Sequence, residues 1–255
     1  MQFEHHIGID YSGAATAKTR SATIQAYQSQ INGEISHVAS PAAADNRKRN
    51  WNRIEIFHWI MSQFKQARPI IIGIDHGLSF PISYFNRHRL NSWDEFLDDF
   101  AIHWPTDHPE ATVENFRNQS SRLGTNDEMR ITENWTSSAK SVFQFDVQGS
   151  VAKSTHAGLP FVYRLRKALP HVHFWPYDGW EISPGTSVFT EIYPSIFRKR
   201  YPRETRTVDQ QDAYSVCRWL HEMDQSEQLR TFFNPPIDTP TKMCAAKEGW
   251  ILGVY

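Results

Sequence analysis

The tetrapeptide Ile-Gly-Ile-Asp occurs twice in this chain, at residues 7–10 within "HHIGIDYSG" and at residues 72–75 within "RPIIIGIDHGLSFP". Both copies end an apolar run in an aspartate, Asp10 and Asp75, and a glycine follows soon after. The second run, "PIIIGID", is continuously apolar, as expected of a central strand buried on both faces. Strands of one sheet lie side by side, so two that end at the same edge bring their last side chains within a few ångströms. Two carboxylates that close repel, and one holds a proton unless a cation lies between them. Mg²⁺ and Mn²⁺ prefer oxygen donors of this kind. The repeat therefore has the form of a metal–carboxylate site built on neighbouring strands. The alternative is that each Asp caps a turn or a helix start.

The rest of the chain extends this pattern. The stretch "RSATIQAYQ" alternates and is rich in β-formers, and "QINGEISHVAS" supplies an Asn-Gly turn, so a hairpin is expected after the first strand. Apolar spacing at Trp51, Ile54, Phe57 and Met61 predicts a helix of four to five turns before "PIIIGID". The resulting order is β-β-β-α-β, with carboxylates ending the first and fourth strands. Residues 78–140 are polar and Trp-containing with helical patterns such as "SWDEFLDDFAIHW", which reads as a helical insertion. Then come a helix in "THAGLPFVYRLRKALP", short strands in "HVHFWP" and "TSVFTEIYP", a helix in "VDQQDAYSVCRWLHEM" and a possible last strand in "EGWILGVY".

Composition narrows the function classes. The 255 residues, 40% of them hydrophobic with 16 Phe and 9 Trp, suffice for a single domain with a substantial core. No apolar run approaches the roughly 20 residues that span a bilayer, and the N-terminus shows no export pattern, so a cytoplasmic location is expected. Cys217 and Cys244 fit no metal-ligand spacing, and no zinc motif includes the 12 histidines. A net charge of −1 gives no global attraction for nucleic acid, so such a partner has to be held by a local basic patch.

Further carboxylates and cations are candidates for a site. Glu191 lies inside the apolar "SVFTEIYPS", where an unpaired charge is costly unless the strand is an edge. Asp209 and Asp212 stand three apart near a helix start; capping suits Asp209, whereas Asp212 directly precedes the small, buried-looking face beginning at Ala213. "FRKRYPRETR" supplies Arg198, Lys199, Arg200, Arg203 and Arg206 against one acid, which is either a phosphate-binding patch or a solvated surface. A second basic run, "NRKRNWNR", reads as a helix start. "GSVAKSTHAG" fails the Walker pattern because Ala152 and Val147 stand where glycines are required. Lys153 and His156 nonetheless precede a helix whose first amides can meet a phosphate; ordinary capping there is the plainer reading. His76 could shuttle protons or be a surface residue, and "WPYDGW" could stack bases or pack in the core.

A strand ending in "GID", the β-β-β-α-β start, a second strand-end Asp and the late helix with the pattern DxxDAxxxxxxL resemble the RNase H-like superfamily, in its Holliday-junction-resolvase branch. More narrowly, "GIDYSG", "IGIDHGLSFP", "QGSVAKSTHAGLPF", "FWPYDGW", "TEIYPS" and "DQQDAYSVCRWL", taken in order, resemble a family of unknown function (domain of unknown function family 429) described as predicted nucleases. The resemblance implies an α/β fold with a mixed five-stranded sheet, β-β-β-α-β-α-β-α, and a helical insertion over about residues 78–140. It implies Asp10, Asp75, Asp212 and Glu191 as catalytic and Mg²⁺ or Mn²⁺ ligands, with Asp209 as a further helix carboxylate. Lys153, His156, Arg198 and Arg200 are the expected substrate contacts. This chain has Asp75 where the resolvases commonly have Glu, and its insertion is long.

The expected chemistry is phosphodiester hydrolysis at two ions roughly 3.5–4 Å apart, with DNA or RNA as partner. Two other classes compete. One is an inactive RNase H-like module that binds nucleic acid or a protein. The other is an actin-like phosphotransferase, disfavoured by the 12 glycines and the lack of a second β-β-β-α-β copy.

Overall fold

A computed structural model describes all residues except 31, 32, 46–48 and 137. The expected Asn-Gly turn and part of the "NRKRNWNR" run thus fall outside the described residues. The chain is α/β. Strands β1 (His5–Asp10), β2 (Gln25–Ser29), β3 (Ile35–His37), β4 (Ile70–Asp75), β5 (His173–Trp175) and β6 (Val188–Glu191) form one mixed sheet in the order β3-β2-β1-β4-β6-β5. β2 runs antiparallel to β1 and β3, and β1, β4, β6 and β5 are mutually parallel. The sheet has six strands rather than five, because β5 joins the outer edge of β6. The expected C-terminal strand is reduced to a single bridge between Leu252 and Ile192.

Helix α1 (Arg53–Phe64) starts at Asn52, whose side chain accepts the Glu55 amide. At 12 residues it makes just over three turns, shorter than the apolar spacing predicts. Helices α2 (Ile82–His88), α3 (Trp93–His103), α4 (Val113–Arg117) and α5 (Ile131–Asn134) follow β4. Aromatic side chains of this region, among them Phe80 before α2, Phe96 and Phe100 of α3 and Trp104 just after it, join the core that also contains Ile7, Ile9 and Ile72 of the sheet. Helix α6 (Ala152–Ala168) begins before "THAGLPF" and contains Pro160. Proline has no amide to offer the carbonyl four residues back, and the His156 carbonyl accepts the Thr106 hydroxyl instead, at 2.6 Å.

The other face of the sheet carries α7 (Val208–Gln225), with α8 (Leu229–Phe233) and α9 (Thr239–Glu248) beyond it. A second cluster built from Ile71, Val188, Val216, Leu220 and Trp250 fills this side. Side chains alternate along a strand, so His6, Gly8 and Asp10 share the α7 face. Cys217 Sγ donates to the His6 carbonyl, and Asp224 accepts the amides of Gln2 and Phe3 and bonds His6 Nε2 at 2.9 Å. Helix α7 therefore runs antiparallel to β1, with its first turns over the Asp10 end. No helix among the described residues is long and apolar enough to cross a membrane.

Candidate metal centre

The repeated tetrapeptides are aligned in the sheet. Gly8 pairs with Gly73 and Asp10 with Asp75 across the parallel β1–β4 ladder, which sets each pair of Cα atoms about 4.8 Å apart. The glycines have a packing role that the sequence pattern does not announce. A Cβ on Gly8 would lie 2.3 Å from the Ala213 carbonyl oxygen and 2.5 Å from the Cys217 nitrogen. On Gly73 it would meet Ile192, Val216 and Leu220 side chains at 2.9–3.2 Å. Two bare backbones thus form the bed on which α7 lies. Two residues further along the same face, the aspartates emerge beneath the start of that helix.

Thr207 caps α7, its side chain accepting the Gln210 amide while Gln210 bonds back. Asp209 is therefore not the cap, as its position suggested, and lies with Asp212 near the strand ends. Asp10 is nine-tenths buried. Its carboxyl is held well above the usual carboxylate range by loss of water, then by the charges of Asp75, Asp209 and Asp212. Asp75 is raised likewise by burial and by the charges of Asp212 and Glu191, with Arg198 pulling the other way. Burial also raises Asp209 and Asp212, the latter opposed by Arg198. Arg198 Nη1 lies 3.2 Å from Asp212 Oδ2.

The remaining expected site residues are distributed unevenly. Glu191 ends β6 beside Ile74, but both its oxygens are taken: Arg130 binds them at 2.7 and 2.5 Å, and the Leu78 amide donates at 3.0 Å. It serves as a buried counter-ion to Arg130, which also holds Glu133 at 2.8 Å. His156 is completely buried among Phe80, Trp104 and Phe145, with Nδ1 on the Ala152 carbonyl and its pKa pushed down to about 3 by burial. It cannot touch a substrate and is a core residue. Lys153 is half exposed and paired with Glu114 at 2.6 Å. Arg200 is exposed and faces Glu222 at 3.8 Å, away from the aspartates. Of the four expected substrate contacts, only Arg198 adjoins the carboxylates.

Two clefts flank the strand ends. One is lined by Asp75, Lys140, Gly149, Val151, Glu191 and Tyr193. The other, a cavity of about 360 Å³, lies between the loop after Asp10, the start of α4 and the first turn of α6, with Lys153 in its wall. Residues 149–154, the approach to α6 and its first turn, border both. The loop after Asp10 is fixed from below by buried Arg53, which donates to the carbonyls of Ala14 at 2.8 Å and Ala15 at 3.0 Å.

His76 is neither exposed nor basic: it is buried, bonds the Gly77 carbonyl and is pushed down to about 4 by burial. In "WPYDGW", Tyr177 stacks on Trp93 with ring centres 3.8 Å apart, which is core packing. At the opposite edge of the sheet, Ser29 Oγ, His6 and Asp224 form a chain with the look of a catalytic triad. All three are buried and Ser29 Oγ accepts the His6 amide, so the chain anchors the N-terminus to α7.

The donor chemistry fits a hard divalent ion in part. Asp10 and Asp75 offer carboxylates at paired strand ends, and the Tyr11 amide donates to the Asp10 carboxylate. Mg²⁺ characteristically uses one or two carboxylates, completed by water and substrate phosphates. Among the described residues no group of three or more His, Cys, Asp or Glu side chains is close enough to hold a metal ion. The third carboxylate, Asp212, is turned to Arg198. Comparison with family models, curated proteins and solved structures finds no match.

Proposed function

We propose that this protein is a Mg²⁺- or Mn²⁺-dependent nuclease with an RNase H-like fold, residues 78–140 being an insertion that walls one side of the site. The observation that carries the reading is the register of Asp10 opposite Asp75, with Asp209 and Asp212 delivered above them by α7. Four carboxylates gathered where the charges of Asp75, Asp209 and Asp212 raise the proton affinity of Asp10 are costly unless a cation neutralises them. The β-β-β-α-β order supports the same fold family.

In this reading Asp10 and Asp75 hold the ion from the sheet and Asp212 completes the protein's share from α7. When bound, the ion supplies Lewis-acid charge to a phosphoryl oxygen and lowers the pKa of a water. Glu191, locked to Arg130, keeps the β6 end rigid beside Asp75 and adds negative potential. Lys140 and Lys153 stand in the two clefts and attract a polyanionic backbone from either side of the scissile phosphate. The engaged state of Asp212 favours a second reading, a module that binds nucleic acid without cleaving it.

A screen of single-stranded, duplex and branched DNA and RNA, with Mg²⁺, Mn²⁺ or EDTA, separates the two. Metal-dependent cleavage is expected. Asp10→Asn and Asp75→Asn should each lower it by more than the ~10–100-fold typical of a residue that only supports a ligand. Cleavage that survives either substitution, or nucleic-acid binding indifferent to EDTA with no cleavage, overturns the nuclease reading.

A further inference from the structure

Among the described residues, the four aspartates make one ion pair, between Asp212 and Arg198, whose charge is also felt at Asp75. Its backbone is fixed to α7: Gln211 Nε2 donates to the carbonyls of Arg198 at 3.2 Å and Tyr201 at 2.9 Å. Its guanidinium is held loosely. A single nitrogen, Nη1, reaches Asp212, at 3.2 and 3.5 Å from the two oxygens, and the side chain is 40% exposed. This is not the two-nitrogen fork that makes an arginine–carboxylate pair strong. A half-exposed pair of this kind contributes little, whereas a divalent ion among several carboxylates gains far more. The neighbouring Arg200 turns to Glu222, so of these two arginines Arg198 is the one poised over the cluster.

We propose that Arg198 is a stand-in cation: it holds Asp212 aside until a divalent ion binds, is then displaced, and closes on a phosphate oxygen of the substrate. This rests on the nuclease reading above and specifies how its site is regulated. Displacement frees Asp212 as the third carboxylate and frees a planar group whose donors match phosphate geometry. An anchored backbone with a long, mobile side chain permits the exchange without moving α7. Metal and phosphate binding are then coupled through one residue, and the coupling is reciprocal.

The test is calorimetric titration of the full-length protein with Mn²⁺ alone, then with inorganic phosphate at saturating Mg²⁺. Arg198→Gln should bind Mn²⁺ up to about fivefold more tightly than the wild type, the size of a lost half-exposed ion pair. Lys199→Gln, which removes the adjacent exposed charge, should leave Mn²⁺ affinity within about twofold, since a solvated charge off the site is screened. Phosphate should bind Arg198→Gln about tenfold more weakly, as expected for loss of a charged hydrogen bond. Arg198→Lys should stay near the wild type for Mn²⁺ because it keeps the charge. Equal or weaker Mn²⁺ binding by Arg198→Gln, or unchanged phosphate affinity, overturns the stand-in role while leaving the nuclease reading intact. Absence of Mn²⁺ binding in every variant removes both.

Discussion

At the scale of single residues, Gly8 and Asp10 form one device. Two positions apart on a strand, they share a face: the glycine lets α7 touch the sheet, and the aspartate uses the proximity this creates. The cost of a side chain at each glycine follows from what it would strike. At Gly8 the obstacles are the Ala213 carbonyl and the Cys217 nitrogen, backbone atoms that cannot move without shifting the helix. At Gly73 they are three side chains that can rotate. Gly8→Ala should therefore destabilise the protein by about 1–3 kcal/mol or more, the range for overpacked cores. Gly73→Ala should cost less, and the order is measured by urea unfolding. Because Gly8→Ala lifts α7 away from Asp10, it should also weaken Mn²⁺ binding. Equal costs for the two, or a reversed order, would show that α7 does not rest on the Gly8 backbone.

At the scale of elements, Glu248 at the end of α9 joins segments far apart in sequence. One of its carboxylate oxygens accepts the Ile82 amide at the start of α2, at 2.5 Å, and the other accepts the Ile131 amide at the start of α5, at 2.8 Å. Pro81 makes no side-chain cap for α2, and in α5 Glu133 accepts the Arg130 amide but leaves that of Ile131 to Glu248. Removing a cap costs about 0.5–2 kcal/mol at each helix, so Glu248→Ala should lose about 1–4 kcal/mol overall. Faster hydrogen exchange should appear in α2 and α5 but not in β1 or β4. Uniformly faster exchange, or none, would refute this role for Glu248. Strand positions, the β-β-β-α-β order and the Asp10–Asp75 pairing were legible because apolar runs and a repeated tetrapeptide are local signals. The burial of His156 was not, because it depends on aromatic residues arriving from α3 and residues 143–145, and neither was that of His76, which packs against Tyr11 and Gly158 of α6. The engagement of Glu191 by Arg130 joins residues 61 apart, and no local pattern points to it. Asp209 was misread as a cap because Thr207, two residues earlier, has the better geometry for that task.

At the scale of the whole molecule, two sets of buried titratable groups pull stability in opposite directions as pH changes. His5 and His76, lowered to about 4, and His156, lowered to about 3, are kept neutral by burial. Their depressed values mean the unfolded chain binds more protons below about pH 6.5, so stability is lost as pH falls through that range toward 3. The aspartates act oppositely. With Asp10, Asp75, Asp209 and Asp212 all raised, the folded protein binds more protons than the unfolded chain above about pH 3.9. Their contribution is fully present below that value and is lost as pH rises through the folded pKa values. Comparing the wild type with Asp10→Asn isolates this effect, because the histidines are common to both. In EDTA, Asp10→Asn should be the more stable protein by about 1 kcal/mol, which is about 2–4 °C in Tm for a chain of this size. The gap should widen from pH 5 to pH 8. Saturating Mn²⁺ should reverse it, since an ion that binds only the folded state at a hundred times its Kd adds about 2.7 kcal/mol, and Asp10→Asn forfeits most of that gain. Thermal unfolding of both proteins across this pH range, with and without Mn²⁺, measures all three. If the gap is independent of pH in EDTA and unaffected by Mn²⁺, the charges at the sheet edge are not a cation site in waiting, and a role for Asp10 in local capping takes its place.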